Sequence, residues 1–138
     1  MKAVFDSSSF AKRYVKEKGS EKVEDVCQKT SSLGVSVILV PEIISALARY
    51  QRNGSLSSEQ FEIAKEELLQ DVKDAHIINL TPIVIARSIT LLENNLLRAM
   101  DALHIACALE WRTELFISSD KRQINAARNS GLKVLPII

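Results

Sequence analysis

Cysteine is scarce in this chain, and Cys27 and Cys107, its only two, lie far apart. Their spacing fits neither a zinc site nor a dithiol redox motif, so both read as reduced thiols. Glycine is nearly as rare. Gly19, Gly34, Gly54 and Gly131 are isolated from one another, so no glycine-rich loop exists to cradle phosphates, which excludes the common nucleotide-binding fingerprints. Aromatic residues make up 5%, too few for extensive base stacking. Neither sign of charge dominates: Lys+Arg 18 against Asp+Glu 17 leave a formal net charge of +1. That balance excludes coating nucleic acid by bulk charge, and a nucleic-acid enzyme would need its charge locally segregated. Long apolar runs are missing as well. The stretch from Val35 to Val40 is interrupted by Ser36 and closed by Pro41, well short of the roughly 20 residues a membrane span needs. Met1-Lys2 leads straight into Ala3-Val4-Phe5-Asp6 without an apolar leader core. A cytoplasmic protein with no membrane segment is expected.

What is present fits one domain. The 138 residues, 46% of them hydrophobic, suffice for a single core. Five short apolar runs read as strands buried on both faces: Ala3–Phe5, Val35–Leu39, His76–Leu80, Leu115–Ile117 and Val134–Ile137. Helical periodicity fills the gaps. Phe61, Ala64, Leu68, Leu69 and Val72 form one stripe, with Ser57-Ser58 supplying a capping signal ahead of it and Asn53-Gly54 closing the helix before. Pro41 and Pro82 each stand where a first helical turn would begin. Alternation of strand and helix from end to end predicts an α/β domain with a mostly parallel five-stranded sheet flanked by helices. In such a sheet ligands bind beyond the carboxyl ends of the strands.

Four carboxylates stand where solvated acids do not belong. Asp6 ends the first strand, and Glu42 sits in Val40-Pro41-Glu42-Ile43-Ile44. Asp101 opens the apolar helix of Met100-Asp101-Ala102-Leu103, and Asp120 follows Phe116-Ile117-Ser118-Ser119. An unpaired carboxylate among apolar groups costs on the order of several kcal/mol. Two readings account for them. Each acid caps a helix separately, its charge favoured by the dipole; or the four converge, and a divalent cation offsets their mutual repulsion. Oxygen-only donors suit Mg²⁺ or Mn²⁺, which serve phosphoryl chemistry.

These segments resemble the PIN domain family. Asp6-Ser7-Ser8 with Ala11-Lys12-Arg13-Tyr14 is similar to that family's opening motif, and Pro41-Glu42-Ile43-Ile44-Ser45-Ala46-Leu47 to its second. Met100-Asp101-Ala102-Leu103-His104-Ile105-Ala106 resembles the third and is the most specific. Phe116-Ile117-Ser118-Ser119-Asp120-Lys121-Arg122 resembles the fourth, and Gly131-Leu132-Lys133-Val134 the common ending. The likeness spans essentially the whole chain, residues 1–138, and is nearest to stand-alone VapC-type toxins of toxin–antitoxin pairs. It implies a Mg²⁺- or Mn²⁺-dependent endoribonuclease that cuts single-stranded or loop RNA. Asp6 and Asp101 would then be principal metal ligands and Asp120 would complete the cluster, while Glu42 would orient water. Ser7 and Ser118 stand where the family more often has Thr, and both keep the hydroxyl. Ser8 and Ser118 read either as hydroxyls supporting the carboxylates and metal waters or as helix caps.

A bare cluster of acids would repel RNA, so basic flanks matter. Arg13, Lys121 and Arg122 are the candidates to hold phosphates; Lys16 and Lys18 read as solvated. His104, on the same helix face as Asp101, reads as the partner of a local hydrogen bond, with metal ligation as the second reading. The helix from Asp101 to Trp111 is apolar nearly all round, so it is covered either by its neighbours, Ile43–Tyr50 and Ile83–Leu92, or by a second copy of the chain. The resemblance points to a homodimer and to a cognate antitoxin as partner. Two further functions remain at this stage: an RNA-processing nuclease without a toxin role, and a non-catalytic interaction module.

Overall fold

Successive residues of the first strand point into two different cores, and the whole architecture follows from that alternation. In the computed structural model, which describes residues 1–138, β1 (Lys2–Phe5) sends Ala3 and Phe5 to one side and Val4 to the other. α1 (Ser7–Phe10), a 3-10 turn (Ala11–Arg13) and α2 (Ser20–Lys29) follow, then β2 (Ser32–Ser36), α3 (Leu39–Arg52) and α4 (Ser58–Val72). β3 (His76–Ile78), α5 (Pro82–Asn94), α6 (Ala99–Trp111), β4 (Leu115–Ser118), α7 (Lys121–Asn129) and β5 (Val134–Pro136) complete the chain. Phe10, Val23, Leu39, Ile43, Leu47 and Leu68 close over the Phe5 side, whereas Val84, Ile105, Ala106, Phe116 and Ala127 close over the Val4 side. The result is a sheet with helices on both faces, the α/β fold expected from the alternating pattern.

All four strand pairings are parallel, in the order β3-β2-β1-β4-β5. The chain grows outward from β1 in one direction and then crosses to β4 on its other side, so β1 and β4 flank the point where the order reverses. At such a point the loops leaving the carboxyl ends diverge and open a crevice. Asp6 leaves β1 there, and Ser118 ends β4 beside it.

Helix boundaries follow their local signals. Ser57 caps α4 in a reciprocal box with Gln60, Thr81 caps α5 with Pro82 in its first turn, and Gly54 (φ 84°) turns the chain after α3. Strand limits shift instead. The expected strand Val35–Leu39 is Ser32–Ser36, because Leu39 already belongs to α3 and the polar start Ser32 pairs with Lys2. The apolar run around Val35 to Val40 is therefore shared between the end of a strand and the start of a helix. His76–Leu80 shortens to His76–Ile78, and Val134–Ile137 to Val134–Pro136.

Of the two covers expected for α6, the structure shows the chain's own neighbours. Ala102, His104, Ile105, Ala106, Cys107 and Ala108 are all buried within the chain, under α5, α7 and β2. Exposed apolar side chains include Ile83, Ile85, Ile89 and Leu92 on α5, Leu96 in the loop after it and Met100 in the first turn of α6. No helix is long and apolar enough to cross a membrane.

At the amino-terminal edge of the sheet, Gly34 lets the Trp111 ring lie directly on β2. His76 stacks on that ring (centroids 5.1 Å apart, interplanar angle 7°), and Lys2 Nζ lies 4.2 Å from its centroid. A Cβ on Gly34 would overlap the ring itself, and overpacking of this kind costs about 1–3 kcal/mol. Gly34→Ala should accordingly lower Tm by several degrees in thermal melts, and Trp111→Phe in the same chain should recover part of the loss. An unchanged Tm in Gly34→Ala would show that the ring moves aside freely.

Candidate functional site

Each of the four acids is placed by the start of a helix. Asp6 caps α1 and is 2% exposed; its Oδ1 accepts from the Ser9 amide (3.0 Å) and Ser9 Oγ (2.5 Å), and its Oδ2 from Ser8 Oγ (2.5 Å). Glu42 lies in the first turn of α3, which brings it over β1 to meet Ser7 Oγ (2.7 Å) and His104 Nε2 (2.5 Å). Asp101 lies in the first turn of α6, and Asp120 caps α7 through the Gln123 amide (2.9 Å). All four line one cavity of about 800 Å³ at the carboxyl edge of the sheet, together with Ser7, Ser8 and His104. Arg49 and Arg98 line the same cavity. The acids line one space, and each also does the work of a first-turn anion.

Sharing that space perturbs them. Burial raises the Asp101 pKa, and the charges of Asp120 and Asp6 raise it further; Arg98 only partly opposes this. Glu42 moves the other way. Its burial favours the neutral acid, but the hydrogen bonds from His104 and Ser7 outweigh that, and its pKa falls. His104 is 1% exposed, and its Nδ1 has no partner. An ionised carboxylate can only accept, so in this contact Nε2 donates to Glu42.

No three of the Asp, Glu, His and Cys side chains stand as placed in an arrangement that holds an ion. The donor chemistry nevertheless fits a hard divalent cation: carboxylate and hydroxyl oxygens, crowded like charges, and a guanidinium already drawn between Asp101 (3.4 Å) and Asp120 (4.0 Å).

The remaining expected residues divide. Ser8 bonds Asp6, while Ser118 Oγ donates to Gln123 Oε1 (2.6 Å), accepts from the Asp120 amide (3.1 Å) and lies 3.5 Å from Asp6 Oδ2. Lys121 and Arg122 are exposed at the start of α7, beside Asp120 but outside the cavity. The Arg13 guanidinium is taken by Glu24 (2.9 Å) and Asp71 (3.4 Å) and lies over the Phe10 ring, so it ties α2 and α4 to the first turn, away from the residues that line the cavity.

Three residues escaped the reading of the sequence: Ser7 as a partner of Glu42, Arg98, and Gln123. Gln123 is fully buried, and its Nε2 donates to the Asp101 carbonyl (3.2 Å), linking α6 to the β4–α7 turn. Asp120 and Gln123 have the spacing of a capping box, a signal that could have drawn notice, but the amide turns inward to Ser118 instead of back to its cap.

A parallel sheet with an acidic cleft over its topological switch point defines a class, and comparison with known proteins gives the family. The PIN domain model matches residues 3–129. The chain belongs to the PIN domain family. No curated protein matches its sequence. Among solved structures, FitAcB from Neisseria gonorrhoeae is similar with a TM-score of 0.74 at 16% identity, covering 96% of this chain and 96% of that one. VapBC2 from Rickettsia felis, bound to a DNA fragment from its promoter, has a TM-score of 0.70 at 12% identity, covering 99% and 98%. The sarcin-ricin-loop-cleaving toxin VapC20 of Mycobacterium tuberculosis has a TM-score of 0.69 at 11% identity, covering 90% and 94%. At these identities the likeness is one of fold.

Crowding at Asp101 has a thermodynamic consequence. A carboxyl whose folded pKa is raised is favoured when protonated, so its ionisation subtracts stability as pH rises through that folded value. Without divalent metal at neutral pH, Asp101→Asn should melt at or above the wild type, by up to about 1 kcal/mol once the lost helix-dipole interaction is set against the relief. The gain should vanish as pH falls through the carboxyl range. Thermal melts in EDTA across that range check this, and a mutant clearly less stable at neutral pH would contradict it.

Proposed function

We propose that this protein is a divalent-metal-dependent endoribonuclease acting on single-stranded or loop RNA, and the toxin of a type II toxin–antitoxin pair. The observation that carries the reading is the gathering of Asp6, Glu42, Asp101 and Asp120 around one cavity. Membership of the PIN family supports it, as does the fold shared with VapBC and FitAB proteins solved with their partners.

Asp6, Asp101 and Asp120 would hold the ion, Mg²⁺ or Mn²⁺. When bound, such an ion supplies Lewis acidity that polarises a phosphoryl oxygen and lowers the pKa of water. Glu42 is the proton acceptor for the attacking water. Its lowered pKa keeps it ionised, and the Ser7 and His104 hydrogen bonds fix its orientation. Ser8 and Ser9 keep the buried Asp6 in place, Ser118 orients Gln123, and Gln123 holds the start of α6 against β4. Lys121 and Arg122, exposed beside Asp120, would meet phosphates flanking the cut.

Two partners follow from this reading: a cognate antitoxin, and a second copy of the chain. The exposed strip Ile85, Ile89 and Leu92 on α5, continued by Leu96 and Met100, is the surface a two-fold dimer would cover. Light scattering at micromolar concentration should give twice the 15.4 kDa chain mass, and Ile89→Asp should return it to that of one chain. A monomer persisting at high concentration rules the dimer out.

The purified protein should cut single-stranded RNA with Mg²⁺ or Mn²⁺ and stop in EDTA. Asp6→Asn and Asp101→Asn should each lose at least about a hundredfold in rate, with circular dichroism unchanged. Cleavage that survives EDTA, or survives both substitutions, defeats the assignment. Growth arrest on expression, relieved by a small protein encoded beside it, separates a toxin from an RNA-processing nuclease.

A further inference from the structure

Arg98 occupies a position that local helix chemistry disfavours. It is the N-cap of α6, with extended backbone (φ −87°, ψ 156°), and its side chain accepts no hydrogen bond from a first-turn amide. N-caps favour Ser, Thr, Asp or Asn, and a cation at a helix amino terminus opposes the dipole. Its Nε lies instead 3.4 Å from Asp101 Oδ2, and a second guanidinium nitrogen lies 4.0 Å from Asp120 Oδ2. These are the two carboxylates whose charges crowd one another. The Arg98 side chain remains 78% exposed, whereas those of Asp101 and Asp120 are 18% and 32% exposed. The cation thus reaches in from solvent over acids that the fold holds in place. Long, exposed ion pairs of this kind are weak, worth no more than about 1 kcal/mol, and readily exchanged. The guanidinium is also a planar fork that matches the oxygens of a phosphate.

We infer that Arg98 is an exchangeable counter-ion of the site, screening the Asp101–Asp120 pair while those acids carry no metal and turning to an RNA phosphate once they do. This rests on the nuclease reading. In the first state Arg98 competes with a divalent cation for Asp101 and Asp120. In the second it supplies positive charge at the cavity wall, which Lys121 and Arg122, outside the cavity, do not. The same side chain thus sets how much metal the protein needs and how tightly substrate is held.

The test measures Mn²⁺ binding by calorimetry without RNA, and the binding of a single-stranded RNA oligonucleotide over a range of NaCl concentrations. The RNA measurement uses a Glu42→Gln background with Mn²⁺ present, so that cutting is slowed. Arg98→Ala should bind Mn²⁺ about three- to fivefold more tightly than the wild type, because a competitor worth that much is gone. It should bind RNA about fivefold more weakly, with the salt slope reduced by about one. Arg98→Lys keeps the charge without the fork and should keep most of the effect on Mn²⁺. Because the side chain is exposed, circular dichroism of Arg98→Ala should match the wild type. Unchanged or weaker Mn²⁺ binding in Arg98→Ala overturns the competition, and unchanged RNA affinity and salt slope overturn the turn to phosphate. A wild type that binds Mn²⁺ and cuts RNA while Arg98→Ala behaves identically defeats this inference alone. A wild type that neither binds Mn²⁺ nor cuts RNA defeats the nuclease reading along with it.

Discussion

Confining several negative charges to one side of a small domain sets the terms for everything around the cleft. Asp6, Glu42, Asp101 and Asp120 repel one another, and burial removes much of the water that would screen them. The fold offsets this by bringing four helix starts to the same edge of the sheet: α1, α3, α6 and α7 all begin there, and each puts its acid in the cap or first turn. Backbone amides and dipoles then supply distributed positive charge without a compensating lysine in the core. For α1, α3 and α7 a parallel sheet makes this possible, because each follows a strand whose carboxyl end points the same way, whereas α6 follows α5 and is brought to that edge by its packing.

Around the acids a ring of uncharged polar groups fixes geometry. Ser8 and Ser9 hold Asp6, while Ser7 and His104 hold Glu42. Ser118 and Gln123 join β4, α7 and α6 into one frame. Most of these groups are buried, where an unpaired hydroxyl or amide would cost about 1–3 kcal/mol. The buried hydroxyls and the Gln123 amide are therefore held in one arrangement, and the carboxylates inherit that rigidity. His104 gives up a partner on Nδ1 to make its contact with Glu42. A local rule is broken for the sake of the site, as at Arg98, where an arginine takes the place of a cap.

The two edges of the sheet are built for different ends. The carboxyl edge is polar, charged and open. The opposite edge is closed by packing, with Trp111 lying on Gly34 between His76 and Lys2. α6 runs from one edge to the other, beginning at Asp101 and ending at Trp111, and its middle is buried on nearly every side. The position of Asp101 is therefore set by packing along the whole helix, not by a flexible loop.

Much of this was legible in the residues themselves. Short apolar runs alternating with helical periods gave the α/β class, and the PIN motifs drew attention to the four acids because each stands among residues that do not solvate charge. Capping at Ser57 and Asp120 and the first-turn proline Pro82 are local signals, so they could be read directly. Strand limits were less legible, since the apolar run around Val35 to Val40 serves both β2 and α3, and periodicity cannot divide it. The pairing of Arg13 was not legible, because its ion pairs with Glu24 and Asp71 join residues far apart in the chain. The same holds for the Glu42–His104 contact and the inward turn of Gln123. Whether α6 needed a partner was equally undecidable, because an apolar helix looks the same whether its own chain or another buries it. Hydrophobic period and caps depend on neighbours within a few residues and are written in the sequence. Which charges meet, and which side chains stay free to reach solvent, depends on contacts that only folding brings together.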